Sequence, residues 1–223
     1  MYSYAPQLKV ERSDAGKSEP GQTVLVAVDR VLAFAFSAAA APVVMSAAVA
    51  IHVISRRSPF VAHLRIGKSG NPFWMWKLRT MWDRGPADAH EQGWVERIIS
   101  EPVEDEKDSF DPRVISRFAA FCRRHSIDEL PQLWHVVQGR MSLVGPRPLT
   151  RTEVDRYYGA HAPELLSLKP GLTGIWQICG RSAVRFPARA SMDLAMVRSF
   201  TTKMYFSVLL RTLPALISGK GAW

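Results

Sequence analysis

Between Val31 and Ile51 the chain runs for 21 residues without a charge, VLAFAFSAAAAPVVMSAAVAI, and only Ser37 and Ser46 interrupt the apolar side chains. A core helix of a soluble domain carries a polar stripe, whereas a straight helix needs about 20 apolar residues to cross a bilayer. Pro42 stands near the centre. It has no N–H to offer the carbonyl of Ala38 and its ring crowds that turn, so a kink or break is expected there. Each half is then about 16 Å long at ~1.5 Å per residue, roughly half the hydrocarbon thickness. Basic residues flank both sides: Lys9, Arg12, Lys17 and Arg30 before, and Arg56, Arg57, Arg65 and Lys68 after. That symmetry gives little orientation bias and suits two cytoplasmic ends. The pattern predicts a re-entrant helix–break–helix over 24–57, entered from a polar, flexible arm at 1–23. A Pro-kinked spanning helix and an export signal are the alternatives.

From residue 58 the rhythm changes. SPFVAHLRIGKSGNPFWMWKLRTMW (58–82) reads as a strand, a Gly/Asn turn and a second strand, which makes a β-hairpin. Residues 83–111 form an acidic connection. Beyond Asp111 the pattern is mostly helical, with turns at GRMSLVGPRP and KPGLTG. From Ser199 to Ile217, apolar Phe200, Met204, Val208, Leu209, Leu213 and Leu216 recur with helical spacing around Lys203 and Arg211, as in an amphipathic helix on a membrane or a core. The expected fold class is α+β: a mostly helical domain over 58–223 with a small β-hairpin, amphipathic interfacial helices and the membrane helix in front.

Composition narrows the function. The 223 residues are 47% hydrophobic and 22% charged, enough for a sizeable core and too apolar for wholesale disorder. Cys122 and Cys179 are far apart, which excludes a zinc framework and a disulfide scaffold and is compatible with a reducing cytosol. The net charge of +9 points to an anionic partner: nucleic acid, a phosphorylated substrate or a lipid headgroup. It is also uneven. Residues 83–111 hold ten acids against three bases, so the remainder is strongly basic and the acidic stretch is expected on a solvated surface.

RRHSIDELPQLWHVV is the densest candidate for chemistry. Ser126 and Glu129 have capping-box spacing, and Pro131 suits a first helical turn. Capping alone accounts for this acidic pair. Even so, Asp128 and Glu129 diverge at i and i+1, which favours two roles: a nucleophile, and a metal ligand or acid/base. Basic residues recur around them. Arg123 and Arg124 lie just upstream, Arg147 is fixed between prolines in GPRP, Lys77 and Arg79 alternate on WKLRT and should share a face, and Arg181 follows Gly180. Acids within such an excess of arginine and lysine suit phosphoryl chemistry. The six histidines form no metal-binding pattern, and Walker A, GxGxxG and GxSxG are absent. Trp74, Trp76 and Trp82 read as core or interface anchors rather than a nucleic-acid ladder.

The order of hydrophobic hairpin, WKLRTM, SIDELPQLW, MSLVGPRP, KPGLTGIWQ and CGR resembles the bacterial monotopic phosphoglycosyl transferases, from about Val24 to the C-terminus, in their short form. The end ISGKGAW is most similar to members that prime exopolysaccharide synthesis. The resemblance implies a catalytic domain on the cytoplasmic face of the bacterial inner membrane, with UDP-sugar, polyprenyl phosphate and membrane lipids as partners and no nucleic acid. Asp128 matches the nucleophile, which takes sugar phosphate from UDP-sugar, releases UMP and passes it to the lipid. Glu129 matches a Mg2+ ligand. Lys77, Arg79, Arg123, Arg147 and Arg181 fall at or beside basic positions for phosphate binding, and Asp29, Arg30 and Pro42 at the hairpin's anchor and kink. Leu25 and Val26 stand where the family usually has Lys-Arg, Ala41-Pro42 where it has Ser-Pro, Ser182 where it has Asn, and Tyr205 where an aspartate is frequent. A basic non-catalytic membrane scaffold or nucleic-acid binder, and a metal-dependent phosphatase, are the competing readings. Whether the chain forms a homo-oligomer stays open.

Overall fold

The computed structural model describes residues 20–82, 91, 93–99, 114, 116–180 and 184–218. Arm residues 1–19 and most of the acidic connection lie outside them. The chain enters through one helix, α1 (Pro20–Ser55), with Pro42 inside it. The kink or break expected at Pro42 does not end the helix, which runs on through it. A proline forfeits one backbone rung and crowds the carbonyl four residues before it, a cost that bends a helix before it ends one. At ~1.5 Å per residue α1 is about 54 Å long.

This helix is packed near its two ends and bare between them. Leu25, Asp29 and Ala33 are buried in its first part, Ala47, Ala48 and Ile51 in its second. No residue from 34 to 46 is buried, and Phe34, Phe36, Val43 and Met45 stand exposed. Only 17% of its most apolar stretch is covered, unlike a core helix.

The β-hairpin is present as β1 (Phe60–Ile66) and β2 (Pro72–Leu78), antiparallel, with Val61 opposite Lys77 and Ile66 opposite Pro72. Ser69 and Gly70 take positive φ in the turn, the left-handed geometry that KSGN supplies. Sequence reasoning missed a third strand, β3 (Val95–Ile98), drawn from the acidic stretch and parallel to β1, so the order is β2-β1-β3. Trp82 is buried, whereas Trp76 is exposed.

Helices follow: α2 (Arg117–Arg124), a 3-10 helix at Ile127–Gln132, and α3 (Leu133–Val137). Strand β4 (Ser142–Val144) pairs in parallel with β5 (Gly171–Thr173), with α4 (Arg151–Tyr157) and α5 (Ala162–Leu165) between them. The chain closes with α6 (Ile175–Cys179), α7 (Ala188–Arg198) and α8 (Thr202–Ser218).

Gly145 and Gly171 explain two of the sequence turns. A Cβ on either would collide with the other's backbone, so VGPRP and KPGLTG are pressed together main chain to main chain. Three apolar clusters surround this frame. The first part of α1 packs with α3, β4 and α8 (Ala33, Val136, Leu143, Val208), and its second part packs on Leu78 and Phe60. The third cluster joins Ile66 and Leu149 to α4, α5 and α7.

Candidate active site

Asp128 and Glu129 sit in the 3-10 helix that follows α2. The expected capping box is absent here. Ser126 adopts a left-handed conformation (φ 54) and makes no side-chain capping bond, so the turn is held by Glu129 N–H donating to the Ser126 carbonyl at 3.2 Å. The capping box of this chain is instead Thr150–Glu153, opening α4. The divergence expected of the acidic pair is present: Asp128 is buried, and Glu129 is half-buried and meets Lys77 Nζ at 3.3 Å.

Burial, then the charge of Glu129, pushes the Asp128 carboxyl up to about 7, while Lys77 and Arg123 oppose them. Cys122, also buried and facing Asp128, is pushed up to about 11. Arg123 reaches Met81 Sδ at 3.0 Å, at the end of the strand that carries Lys77. Four of the expected residues, Lys77, Arg123, Asp128 and Glu129, therefore converge on one place.

Arg79 does not join them. β2 ends at Leu78, and the Arg79 guanidinium turns away to the Ser58 carbonyl (2.7 Å), Glu91 Oε1 (3.4 Å) and Glu96. The shared face expected for Lys77 and Arg79 fails because the strand's alternation stops between them. Glu91 also binds Arg57 and is buried. This part of the acidic stretch is thus an internal ion-pair network rather than a solvated surface.

Arg147 belongs to a second cluster. Its guanidinium lies 5.6 Å from the Trp176 ring centre, and that of Arg189 lies 4.5 Å from the same ring. Asp193, 1% exposed, accepts from Tyr158 Oη at 3.0 Å and faces both arginines. Leu149 bridges to Ile66, five positions along β1 from Val61, the partner of Lys77. Those five positions span roughly 17 Å at ~3.3 Å per residue. Arg181 lies outside the described residues.

Asp29 joins α1 to the domain. Its buried carboxylate accepts from Ser142 Oγ (2.7 Å), the Leu143 amide (2.9 Å) and Tyr205 Oη (2.5 Å). Tyr205 thus supplies a buried donor to Asp29 from α8. Arg30 lies over Gly139, where φ is +76 and a Cβ would meet Arg30 Nη2 at 2.7 Å. Lys169 faces Arg30, and burial followed by that charge lowers its ammonium. Pro42 is exposed, apart from both clusters.

Sequence reasoning missed His135 and Asp193. His135 Nε2 accepts the Trp76 amide at 3.1 Å, fixing the free edge of β2 beside Lys77; burial lowers its value to about 4, so it is neutral. Asp193, an acid among apolar helix positions, carried a faint signal in ASMDLAM.

Among the described residues no group of three or more His, Cys, Asp or Glu side chains converges. The half-buried Glu129 carboxylate is nevertheless the hard oxygen donor that would suit a divalent cation. Two adjacent carboxylates repel each other, and phosphate oxygens with water can complete a Mg2+ shell. The arrangement offers a buried carboxylate for attack, a neighbouring one for a cation, and two bases to neutralise phosphate.

Comparison with known proteins agrees with the motif order. The family model described as "Bacterial sugar transferase" matches residues 21–219. The chain is 35% identical over 184 residues to a UDP-galactose-lipid carrier transferase of Erwinia amylovora, covering 78% of this chain and 37% of that protein. It is 35% identical over 176 residues to the exopolysaccharide production protein ExoY of Rhizobium meliloti (74% and 73%). To a UDP-glucose:undecaprenyl-phosphate glucose-1-phosphate transferase of Caulobacter vibrioides it is 34% identical over 206 residues (88% and 70%). It thus spans about a third of the first relative's length and over two thirds of the other two. With nearly all of its length matched and Lys77, Arg123, Asp128 and Glu129 brought together, this chain belongs to the bacterial sugar transferase family.

Proposed function

We propose that the chain is a phosphoglycosyl transferase that moves sugar 1-phosphate from UDP-galactose or UDP-glucose to undecaprenyl phosphate and releases UMP, priming an exopolysaccharide or related glycan. The observation that carries this reading is the buried Asp128 carboxylate beside Glu129, faced by Lys77 and Arg123, on a domain whose apolar helix leaves its middle uncovered. Relatives named for galactose- and glucose-phosphate transfer support the substrate class.

In the first half-reaction an Asp128 oxygen bonds to the sugar-proximal phosphorus. The bond from that phosphorus to the bridging oxygen breaks, and UMP departs with the oxygen and the electron pair. Forming the ester discharges a carboxylate that burial makes costly as an anion, which favours attack. In the second half-reaction a phosphate oxygen of the polyprenyl phosphate bonds to the same phosphorus and the Asp128–phosphorus bond breaks, restoring the carboxylate. Lys77 and Arg123 offset phosphate charge in both steps, and Arg147 and Arg181 would hold the donor phosphates. Mg2+ held by Glu129 would add charge neutralisation at the diphosphate.

The membrane reading follows from α1. Asp29 is bound to Ser142 and Leu143, and Ile51 packs in a cluster with Leu78. A helix fastened at both ends to one domain keeps both ends on that domain's side of a bilayer. We therefore read α1 as re-entrant, immersed by residues 34–46, with the domain on the cytoplasmic face of the inner membrane. Cysteine labelling should find residues on both flanks protected from outside; an arm labelled only from outside would require a span.

The decisive experiment incubates purified enzyme with a UDP-sugar panel, undecaprenyl phosphate and Mg2+. UMP release and a sugar-phosphate mass increase on the Asp128 peptide are expected. Full lipid-linked product from Asp128→Asn would overturn the mechanism.

A further inference from the structure

Arg147 is the one backbone N–H donor in Pro146–Arg147–Pro148, because both neighbours are prolines. That amide faces the Asp193 carboxylate. Asp193 is almost wholly buried and fixed through one oxygen by Tyr158 Oη, and its Oδ1 has no hydrogen-bond partner among the described residues. The Arg147 and Arg189 guanidiniums meet the ring of the same buried indole, Trp176, and Arg189 Nε is tied to the Val184 carbonyl at 2.5 Å. A buried carboxylate that faces two guanidiniums and one proline-isolated amide is an arrangement for holding an arginine still. A pre-set guanidinium loses less freedom on meeting phosphate than a mobile one.

We propose that Asp193 is a positioning residue: with Tyr158, Trp176 and Arg189 it fixes the Pro-Arg-Pro segment so that Arg147 meets the diphosphate of the nucleotide-sugar donor. This rests on the reading above, in which Arg147 binds donor phosphate. The groups facing Asp193 are Tyr158 at the C-cap of α4, Arg147 of the preceding loop and Arg189 of α7, with Glu153 of α4 beside Tyr158. Burial pushes the Asp193 carboxyl up to about 7 against the pull of Tyr158 and both arginines, so the hold on Arg147 weakens as pH falls through that value.

The test measures UMP release against the concentration of whichever UDP-sugar the wild-type chain consumes. Asp193→Asn should raise the donor KM ~10-fold with kcat within ~3-fold, because the buried charge that faces Arg147 is removed. Wild-type donor KM should rise below pH 7, while that of Asp193→Asn stays flat. In an Arg147→Ala background, Asp193→Asn should add nothing, because the two act through one contact. Tyr158→Phe, which removes only the hydroxyl on Asp193, should show the same pattern more weakly and serves if the asparagine variant does not fold. Additive losses, or an unchanged donor KM in both variants, would overturn the positioning role alone. An unchanged donor KM in Arg147→Ala would overturn the donor contact of Arg147 and the positioning role with it.

Discussion

Asp128 and Asp193 are both buried, and burial pushes both carboxyls up to about 7. Their surroundings differ in kind. Asp128 stands beside another acid, on a short 3-10 turn entered through a left-handed serine. Asp193 lies on a regular helix, takes a hydrogen bond from Tyr158 and faces two arginines over an indole. The same desolvation cost thus has two outcomes. Beside a like charge the proposed role is a carboxylate that gains by losing its charge to a bond; beside a hydroxyl donor and two arginines the proposed role is a brace.

The sharpest way to break that contrast is to neutralise each acid in turn. Asp128→Asn should lower kcat for UMP release on the order of 10⁴-fold, as expected for a lost nucleophile, against the modest KM effect at Asp193. Equal losses of kcat would erase the distinction. Next in size is the contrast between Lys77 on β2 and Arg79 just past its end. Arg79→Ala should destabilise the fold by roughly 3–5 kcal/mol in chemical denaturation, because Glu91 and Glu96 lose a buried partner. Lys77→Ala should cost under about 1 kcal/mol of stability while lowering turnover, since its pair with Glu129 is partly exposed.

A smaller effect concerns His135, which fastens the Lys77 strand. Its value is about 4 when folded against 6.5 for an ordinary imidazole, so the unfolded chain binds the extra proton between those limits. Its contribution to stability is therefore complete above pH 6.5 and falls as pH drops toward 4. Relative to His135→Gln, which keeps an acceptor for the Trp76 amide, wild type should lose about 2 kcal/mol between pH 7.5 and 5 in urea titrations. The smallest change is Tyr205→Phe, expected to cost about 1 kcal/mol by removing one donor from Asp29 without altering donor KM.

The cluster around Asp128 was largely legible in the sequence because its residues are local: Arg123, Asp128 and Glu129 lie within seven positions, and a strand brings Lys77 to them. The braced end was not, because Arg147, Tyr158, Trp176, Arg189 and Asp193 come from four separate stretches that only the packing of α4, α6 and α7 joins. Local pattern also misreads two backbone details: the strand stops at Leu78, short of Arg79, and the capping spacing at Ser126 meets a left-handed φ with no side-chain cap. At Pro42, where the pattern predicts a kink or break, the helix runs on.

The glycine-to-glycine contact between the VGPRP and KPGLTG turns has a mechanical corollary. With no side chain between Gly145 and Gly171, the two turns meet main chain to main chain, carrying Arg147 on one margin and Lys169, which faces Arg30 of α1, on the other. Any displacement of one turn would therefore be passed to the other, and from Lys169 to the start of α1.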